Sequence, residues 1–340
     1  MAVIAGIDEA GYGPRLGPLV VSGVAFEVPD AAAGEDLWSR LAPVVSRSVR
    51  DRERVAVDDS KRLFSQSGGV RHIERTALAF AASQPPSDDN GLRNPLPQAN
   101  MCPLEVPGTS KRKRTFRGLL AALAELGEEL DAYPWYQGAD FAVPLDADPC
   151  QIERDADHLR SAAGARFLAV HACPVLVGEF NRLVDSVGTK SATLFMKTAR
   201  LLALLWHDWG ERGLVVHVDK HGGRDRYDLL LHQTFFGARL KTLAEGHDES
   251  VYEISDGHRR MTVGFYVHGD ARHMPVALAS IFSKYLRELF MHRFNAFWAE
   301  RVPGLKPTAG YAADATRFLR DIAPACRHLS IDERLLIRCL

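Results

Sequence analysis

The feature that most constrains this chain is an alternation of apolar runs. "RFLAVHACPVLV" (166–177) is followed by "SATLFMKTARLLALLWHDWG" (191–210) and then by "GLVVHVDK" (213–220). The outer two are short and apolar, as buried strands are. The middle one repeats its apolar residues at helical spacing, opens at Ser191 and closes at Gly210. Strand, helix, strand in that order predicts an α/β sheet with crossover helices. Residues 2–8 and 19–27 ("LVVSGVAFE") add two more buried strands, joined by a turn rich in Gly and Pro.

The stretch "SQPPSDDNGLRNPLPQANMCPLEVPGTSKRKR" is crowded with Pro, Ser, Asn and Gly and reads as an exposed loop. It leads into a helix expected over 115–130. Residues 84–165 therefore read as an insertion within the α/β unit, not as an independent domain. A helix over 226–242, strand-like runs "SVYEIS" and "RRMTVGFYVHG", and a C-terminal helical segment over 313–340 complete a single domain of 1–340.

A composition of 46% hydrophobic and 25% charged residues is enough for a sizeable core. The net charge of −1 excludes a globally basic nucleic-acid protein but not a local basic patch. Lys111-Arg112-Lys113-Arg114 is one such run, readable as a phosphate-binding patch or as a solvated surface. The five cysteines are scattered without a C-x-x-C pair, which fits free thiols better than a disulfide or zinc framework. With no secretory signal pattern and no apolar run of membrane-spanning length, a cytoplasmic protein with no membrane partner is expected. No obligate protein partner is evident.

The strands end on acids. Asp8 and Glu9 close the first, and Asp219 closes "GLVVHVD". Carboxylates there cost solvation energy unless they are protonated, paired or bound to metal. If the strands lie side by side the three converge, and carboxylates without Cys or His partners form a hard-oxygen site for Mg²⁺ or Mn²⁺. Such sites most often serve phosphodiester chemistry, commonly with two metals. In "PVALASIFSKYLRELFMHRF" (275–294), Ser280, Lys284 and Glu288 fall on one helical face. Alone, Lys284 and Glu288 read equally well as an ion pair worth about a few tenths of a kcal/mol. Gly11-Tyr12-Gly13, alone, reads as a turn between strands. His217, His221 and His273 lie near these residues, but a hard-oxygen site does not need them.

Taken together and in order, "GIDEAGYGPRLGPLVV", "DDSKRL" (58–63), "VHVDK", "ASIFSKYLRE" and Gly310-Tyr311 resemble the type 2 ribonucleases H, the ribonuclease HII and HIII family. The resemblance implies a ribonuclease H-like mixed β-sheet flanked by helices on both faces, here with an inserted loop and helical segment. It implies a metal-dependent endoribonuclease that cuts the RNA strand of RNA–DNA hybrids, leaving 3′-hydroxyl and 5′-phosphate ends. By the same resemblance Asp8, Glu9, Asp219 and Glu288 are the catalytic metal ligands for Mg²⁺ or Mn²⁺. Gly11, Tyr12, Gly13, Lys61, Ser280, Lys284 and Tyr311 would contact the hybrid or brace the acids.

The chain also departs from the family. Gly11-Tyr12-Gly13 stands where ribonuclease HII usually has Gly-Arg-Gly, and Glu288 is the fourth acid, as in the HIII type. The intervals from Asp8 to Asp219 and from Asp219 to Glu288 are longer than the family's. Lys220 directly follows Asp219, where it could grip a phosphate or weaken metal binding. Two other readings remain open: a non-catalytic hybrid- or DNA-binding protein with a degenerate site, and a ribonuclease H-like nuclease with a DNA substrate.

Overall fold

The computed structural model describes residues 1–32, 34–67, 69–85 and 114–339. Its centre is a seven-stranded sheet built from β1 (Ala2–Ala10), β2 (Leu19–Val28), β3 (Arg166–Val175), β4 (Leu214–Asp219), β5 (Arg239–Glu245), β6 (Glu249–Ser255) and β7 (Arg260–Tyr266), in the order β3-β2-β1-β4-β7-β6-β5. The neighbours β1/β2, β2/β3, β5/β6 and β6/β7 are antiparallel. The central neighbours β1/β4 and β4/β7 are parallel, which makes the sheet mixed. Two parallel strands lying side by side with their carboxyl ends together form the crevice at which open α/β sheets bind ligands.

Helices cover both faces. They include α1 (Ser60–Ser67), α2 (Arg71–Ser83), α3 (Phe116–Leu123), α4 (Pro149–Ser161), α5 (Val177–Val187), α6 (Lys190–Trp209), α7 (Asp228–Thr234), α8 (Met274–Ala299), α9 (Ala312–His328) and α10 (Glu333–Leu336). Strand alternation divides β1 between two cores. Ile4 packs with α8, α2 and apolar residues of the 116–159 region, while Val3, Ala5 and Ile7 pack with α6. The inserted region thus shares its core with α8: Phe116 meets Phe290 edge-on at 5.2 Å, and Trp135 meets Phe294 at 5.4 Å. None of the described helices is long and apolar enough to cross a membrane.

Glu74 ties this region to the core. Its buried carboxylate accepts from the backbone N–H groups of Leu145 (2.6 Å), Asp146 (2.8 Å) and Ala147 (2.9 Å), and from the Tyr285 hydroxyl of α8 (3.0 Å). Glu74→Ala removes the acceptor and leaves these donors facing an apolar gap. We expect a loss of about 3 kcal/mol or more in stability, read from the urea midpoint, because hydrogen bonds to charged groups are worth roughly 1.5–3 kcal/mol each. A midpoint within error of wild type would show that water replaces the carboxylate freely.

Two helices are shorter than their periodicity predicts. The helix expected over 115–130 ends at Leu123, because Ala124 turns extended and pairs with Ala172 of β3, and Glu125 N–H then bonds Ala172 O at 2.8 Å. Sheet pairing overrides helical propensity there. The helix expected over 226–242 is only Asp228–Thr234, and Gly237 at φ +86° reverses the chain into β5. Most of the loop expected over 84–114, with Lys111, Arg112 and Lys113, lies outside the described residues. Arg114 is described and pairs with Glu153.

Candidate active site

The register of β1 and β4 runs from Val3↔Leu214 to Ile7↔Val218, so one step further Asp8 stands level with Asp219. Alternation sends Asp8 to the α8 side of the sheet. There Ser283 donates its hydroxyl to the Asp8 carbonyl (3.0 Å), Ser280 bonds the Asp8 carboxylate, and Glu9 N–H donates to Asp8 Oδ1 (2.7 Å). Ser60, next to Lys61 at the start of α1, shares a 3.0 Å bond with Ser280 and so links α1 to the same corner. Asp219 Oδ1 accepts the Gly269 N–H at 2.8 Å. A Cβ at Gly269 would sit 3.2 Å from Asp219, close enough that the two would have to shift by a few tenths of an ångström.

These carboxylates resist ionisation. Burial pushes Asp8 well above the usual carboxylate range, and the charges of Glu9 and Asp219 push it further. Burial, then Asp219, raise Glu9 to about 7, with Lys61 opposing. Burial raises Asp219 to about 6; the Gly269 N–H works against it and the charge of Asp270 adds to it. Asp8 is buried and Glu9 and Asp219 partly so; Lys61 acts on the latter two, and an added cation would offset the charge of all three. Their all-oxygen donor set fits Mg²⁺ or Mn²⁺. Among the described residues, no three Asp, Glu, His or Cys side chains lie close enough together to hold a metal ion as they stand.

A pH dependence follows. Free carboxyls titrate near pH 4 (about 4.3 for Glu), so between there and the folded value of about 7 the native state holds a proton at Glu9 that the unfolded chain releases. The stability that Glu9 contributes to the metal-free protein is therefore complete below that window and is lost as pH rises through it. Metal-free Glu9→Gln should gain stability relative to wild type as pH rises from about 5 to about 8. Urea midpoints in a chelator measure the difference, and a difference flat with pH would contradict the assigned environment.

The loop after β1 carries the substrate candidates. Gly11 (φ +87°) and Gly17 (φ +79°) hold left-handed backbone, and a Cβ at Gly11 would lie 2.5 Å from Arg287 Nε and 2.6 Å from Pro18 O. Gly310 docks on the loop: Arg15 N–H bonds its carbonyl at 2.8 Å, and a side chain at 310 would lie 2.5 Å from Leu16 O. This puts the half-exposed Tyr311 ring beside Gly13, 3.9 Å from where a Cβ there would be. Tyr12 is partly exposed, with the Lys190 ammonium 5.9 Å from its ring centre. Burial and the charge of Glu9 raise its phenol, while Arg224 opposes the shift.

Glu288 is engaged by partners of its own. Lys284 Nζ donates to it at 2.6 Å, and Arg287 lies 3.6 Å away. Lys284 also lies 4.4 Å from the centre of the Phe64 ring. Lys61 is exposed and acts on Glu9 and Asp219 through its charge. Lys220 is turned away from the acids: its ammonium donates to the carbonyls of Gly246 (2.5 Å) and His247 (2.7 Å) and pairs with Asp225. His217 and His273 stack at 3.8 Å, and burial lowers them to about 3 and about 4. His221 is buried against Thr198 and also lowered to about 3. All three stay neutral near pH 7 and are poor candidates for proton transfer.

Four residues of this corner went unnoticed in the sequence. Ser283 sits one turn from Ser280 and hides within the helix pattern. Gly269 acts through its backbone, which leaves no side-chain signal. Asp270 follows it and adds a carboxylate near Asp219. Arg287 is buried, yet it reads as an ordinary charged residue of an amphipathic helix.

No family model and no curated protein matches the chain. Solved structures do. The chain is similar to the ribonuclease H2 from Pyrococcus horikoshii at 12% identity and a TM-score of 0.47, covering 98% of this chain and 92% of that one. It is similar to the RNase HII of a PCNA:RNase HII complex from Archaeoglobus fulgidus at 16% identity and a TM-score of 0.39, covering 99% and 93%. For Bst-RNase HIII in complex with Mn²⁺ the identity is 13% and the TM-score 0.41, covering 99% of this chain and 66% of that one. These likenesses are to ribonucleases HII and HIII. They are the enzymes that the motifs of this sequence resemble.

Proposed function

We propose that the chain is a divalent-metal-dependent endoribonuclease that hydrolyses the RNA strand of RNA–DNA hybrids, leaving 3′-hydroxyl and 5′-phosphate ends. The observation that carries this reading is one corner of the sheet. The strand-end acids Asp8, Glu9 and Asp219 gather there, beside a glycine loop over which Tyr311 stands exposed. The five motifs of the family occur in order around that corner, and this supports the substrate class.

Asp8, Glu9 and Asp219 would hold Mg²⁺ or Mn²⁺, with Glu288 available from the adjoining helix. When bound, such ions activate water and stabilise the departing oxygen. Ser280 and Ser283 fix Asp8, and the Gly269 N–H fixes Asp219, so Glu9 and Glu288 would have to be drawn in toward two anchored acids when an ion binds. Lys61 places a positive charge beside the acids, suited to a strand phosphate. Backbone groups of Gly11–Gly13 can approach a ribose 2′-hydroxyl where side chains would block them, and Tyr311 offers a face on which a sugar can pack.

The competing reading, a binding protein with a degenerate site, leans on Tyr12 in place of the family's Arg and on Lys220 as a cation that spoils metal binding. That ammonium is engaged by Gly246, His247 and Asp225. Three end-labelled duplexes with Mn²⁺ test the proposal: a continuous RNA–DNA hybrid, a DNA duplex with one embedded ribonucleotide, and an all-DNA duplex. Cutting is expected in the RNA strand of the hybrid and not in all-DNA. Cutting of all-DNA at a similar rate would favour a ribonuclease H-like DNA nuclease instead.

A further inference from the structure

The glycine loop is gripped from beneath by two buried guanidinium groups. Arg338 donates from Nη1 to Gly11 O (2.6 Å), from Nε to Gly17 O (2.8 Å) and from its backbone N–H to Arg15 O (2.9 Å). Arg287 donates to Leu16 O (3.3 Å) and Ala309 O (2.9 Å), joining the loop to the segment that carries Tyr311. Both side chains are buried, at 3% and 1% exposure, and Arg338 packs over the Phe180 ring at 4.8 Å. Burial and the neighbouring charge of Arg287 lower Arg338 to about 9, with Tyr136 and Tyr311 opposing this.

A buried cation bonded to carbonyls, with no carboxylate partner among the described residues, is costly. It persists only where other contacts hold it. Asn181 of α5 donates to the carbonyls of Arg334 and Ile337 (2.8 Å each) and accepts the Cys339 N–H (2.8 Å). Asp332 caps the short helix α10 through Arg334 N–H at 2.8 Å. The segment 332–339 is thus a strap fastened at α5, with Arg338 reaching from it into the loop.

We infer that Arg338 is a positioning residue: from this strap it fixes the Gly11–Gly17 loop and the direction in which the Gly11–Tyr12 peptide faces a nucleic-acid strand. This rests on the proposed function for its substrate. The geometry is simple. In a trans peptide the C=O and N–H point opposite ways, so holding Gly11 O toward Arg338 aims the Tyr12 N–H away from it, out of the loop. The Arg15 carbonyl is held in the same way, while the next N–H, of Leu16, bonds Gly310 O at 3.3 Å. Releasing Arg338 frees the loop without touching any of the acids.

The test compares Arg338→Met, Arg338→Lys, Asn181→Ala and, as a control, Leu205→Ala, which opens the core under α6 without removing any hydrogen bond of the strap. Two readouts are taken well below each melting temperature: amide hydrogen exchange at Gly13, Arg15 and Leu16, and kcat/KM for hybrid cleavage with Mn²⁺. Arg338→Met should speed exchange in the loop and lower kcat/KM on the order of 100-fold, as misplacement remote from the chemistry can. The rise in melting temperature produced by Mn²⁺ should stay as in wild type. Asn181→Ala should move both readouts in the same direction with Arg338 intact, and Arg338→Lys should fall between Met and wild type. Wild-type loop exchange in both Arg338→Met and Asn181→Ala would overturn the inference. So would an equal loss of kcat/KM in Leu205→Ala. If wild type itself cuts no hybrid, the proposed function fails, and the exchange readout still decides whether the strap holds the loop.

Discussion

Asp8→Asn should abolish cleavage and at the same time make the metal-free protein more stable. The two effects share one cause. Asp8 is buried beside Glu9 and Asp219, and its charge is unfavourable until a cation arrives. Asparagine keeps an oxygen for the Glu9 N–H and the Ser280 hydroxyl, so the local hydrogen bonds survive while the repulsion is removed. A metal ligand lost from such a site costs several kcal/mol of transition-state stabilisation, and about 4 kcal/mol corresponds to a rate on the order of 1,000-fold lower. The gain in stability should grow with pH as Glu9 and Asp219 ionise, and the stabilisation of wild type by Mn²⁺ should be largely lost in the variant. Hybrid affinity should remain. Urea midpoints in chelator, with and without added Mn²⁺, and a binding assay check all of this. A destabilised Asp8→Asn protein would mean that the carboxylate is a structural acceptor and not a strained ligand.

Gly6→Ala should be the most damaging single methyl group in the sheet. β1 and α8 meet so closely at Gly6 that an added Cβ would fall 2.2 Å from Pro275 C and 2.4 Å from Val276 N. Both are backbone atoms, and no rotamer change relieves the clash. The helix must move off the sheet or the strand must bend. Overpacking in a dense core typically costs about 1–3 kcal/mol and more where backbone is displaced, so a loss of about 3 kcal/mol or more is expected. Because α8 carries Ser280 and Ser283, the same shift pulls the hydroxyls away from Asp8 and should reduce activity at temperatures where the variant is still folded. A Gly6→Ala protein with wild-type stability and turnover would show that the two elements separate without consequence.

The sheet was readable because its strands announce themselves locally. β1, β2, β3 and β4 are predominantly apolar runs, and the two that end on Asp8-Glu9 and Asp219 lie next to each other. The mixed sheet with helices on both faces, expected from the motif resemblance, is the one observed. What failed locally was decided by distant partners. Residues after Leu123 look helical until Ala172 offers a bridge, and the helix from Asp228 is cut short by a turn at Gly237. Lys220 reads as a cation next to a metal ligand, and only the turn at Gly246 and His247 turns it elsewhere. Of the candidate site, the acids and glycines could be read because they cluster in motifs. Arg338 could not, since it lies 327 residues from the Gly11 carbonyl it holds and belongs to no motif. Ser283 and Gly269 are silent for a related reason: one is an ordinary helix residue and the other acts only through its amide.

The most direct measurement sets wild type beside Asp219→Asn on one labelled RNA–DNA hybrid at saturating Mn²⁺, with cleavage and binding read from the same samples. The account predicts that wild type cuts the RNA strand to 3′-hydroxyl and 5′-phosphate ends, while Asp219→Asn binds the hybrid comparably and leaves it whole. Equal cutting by both proteins would contradict the assigned site. A wild type that binds the hybrid but never cuts it would contradict the enzyme.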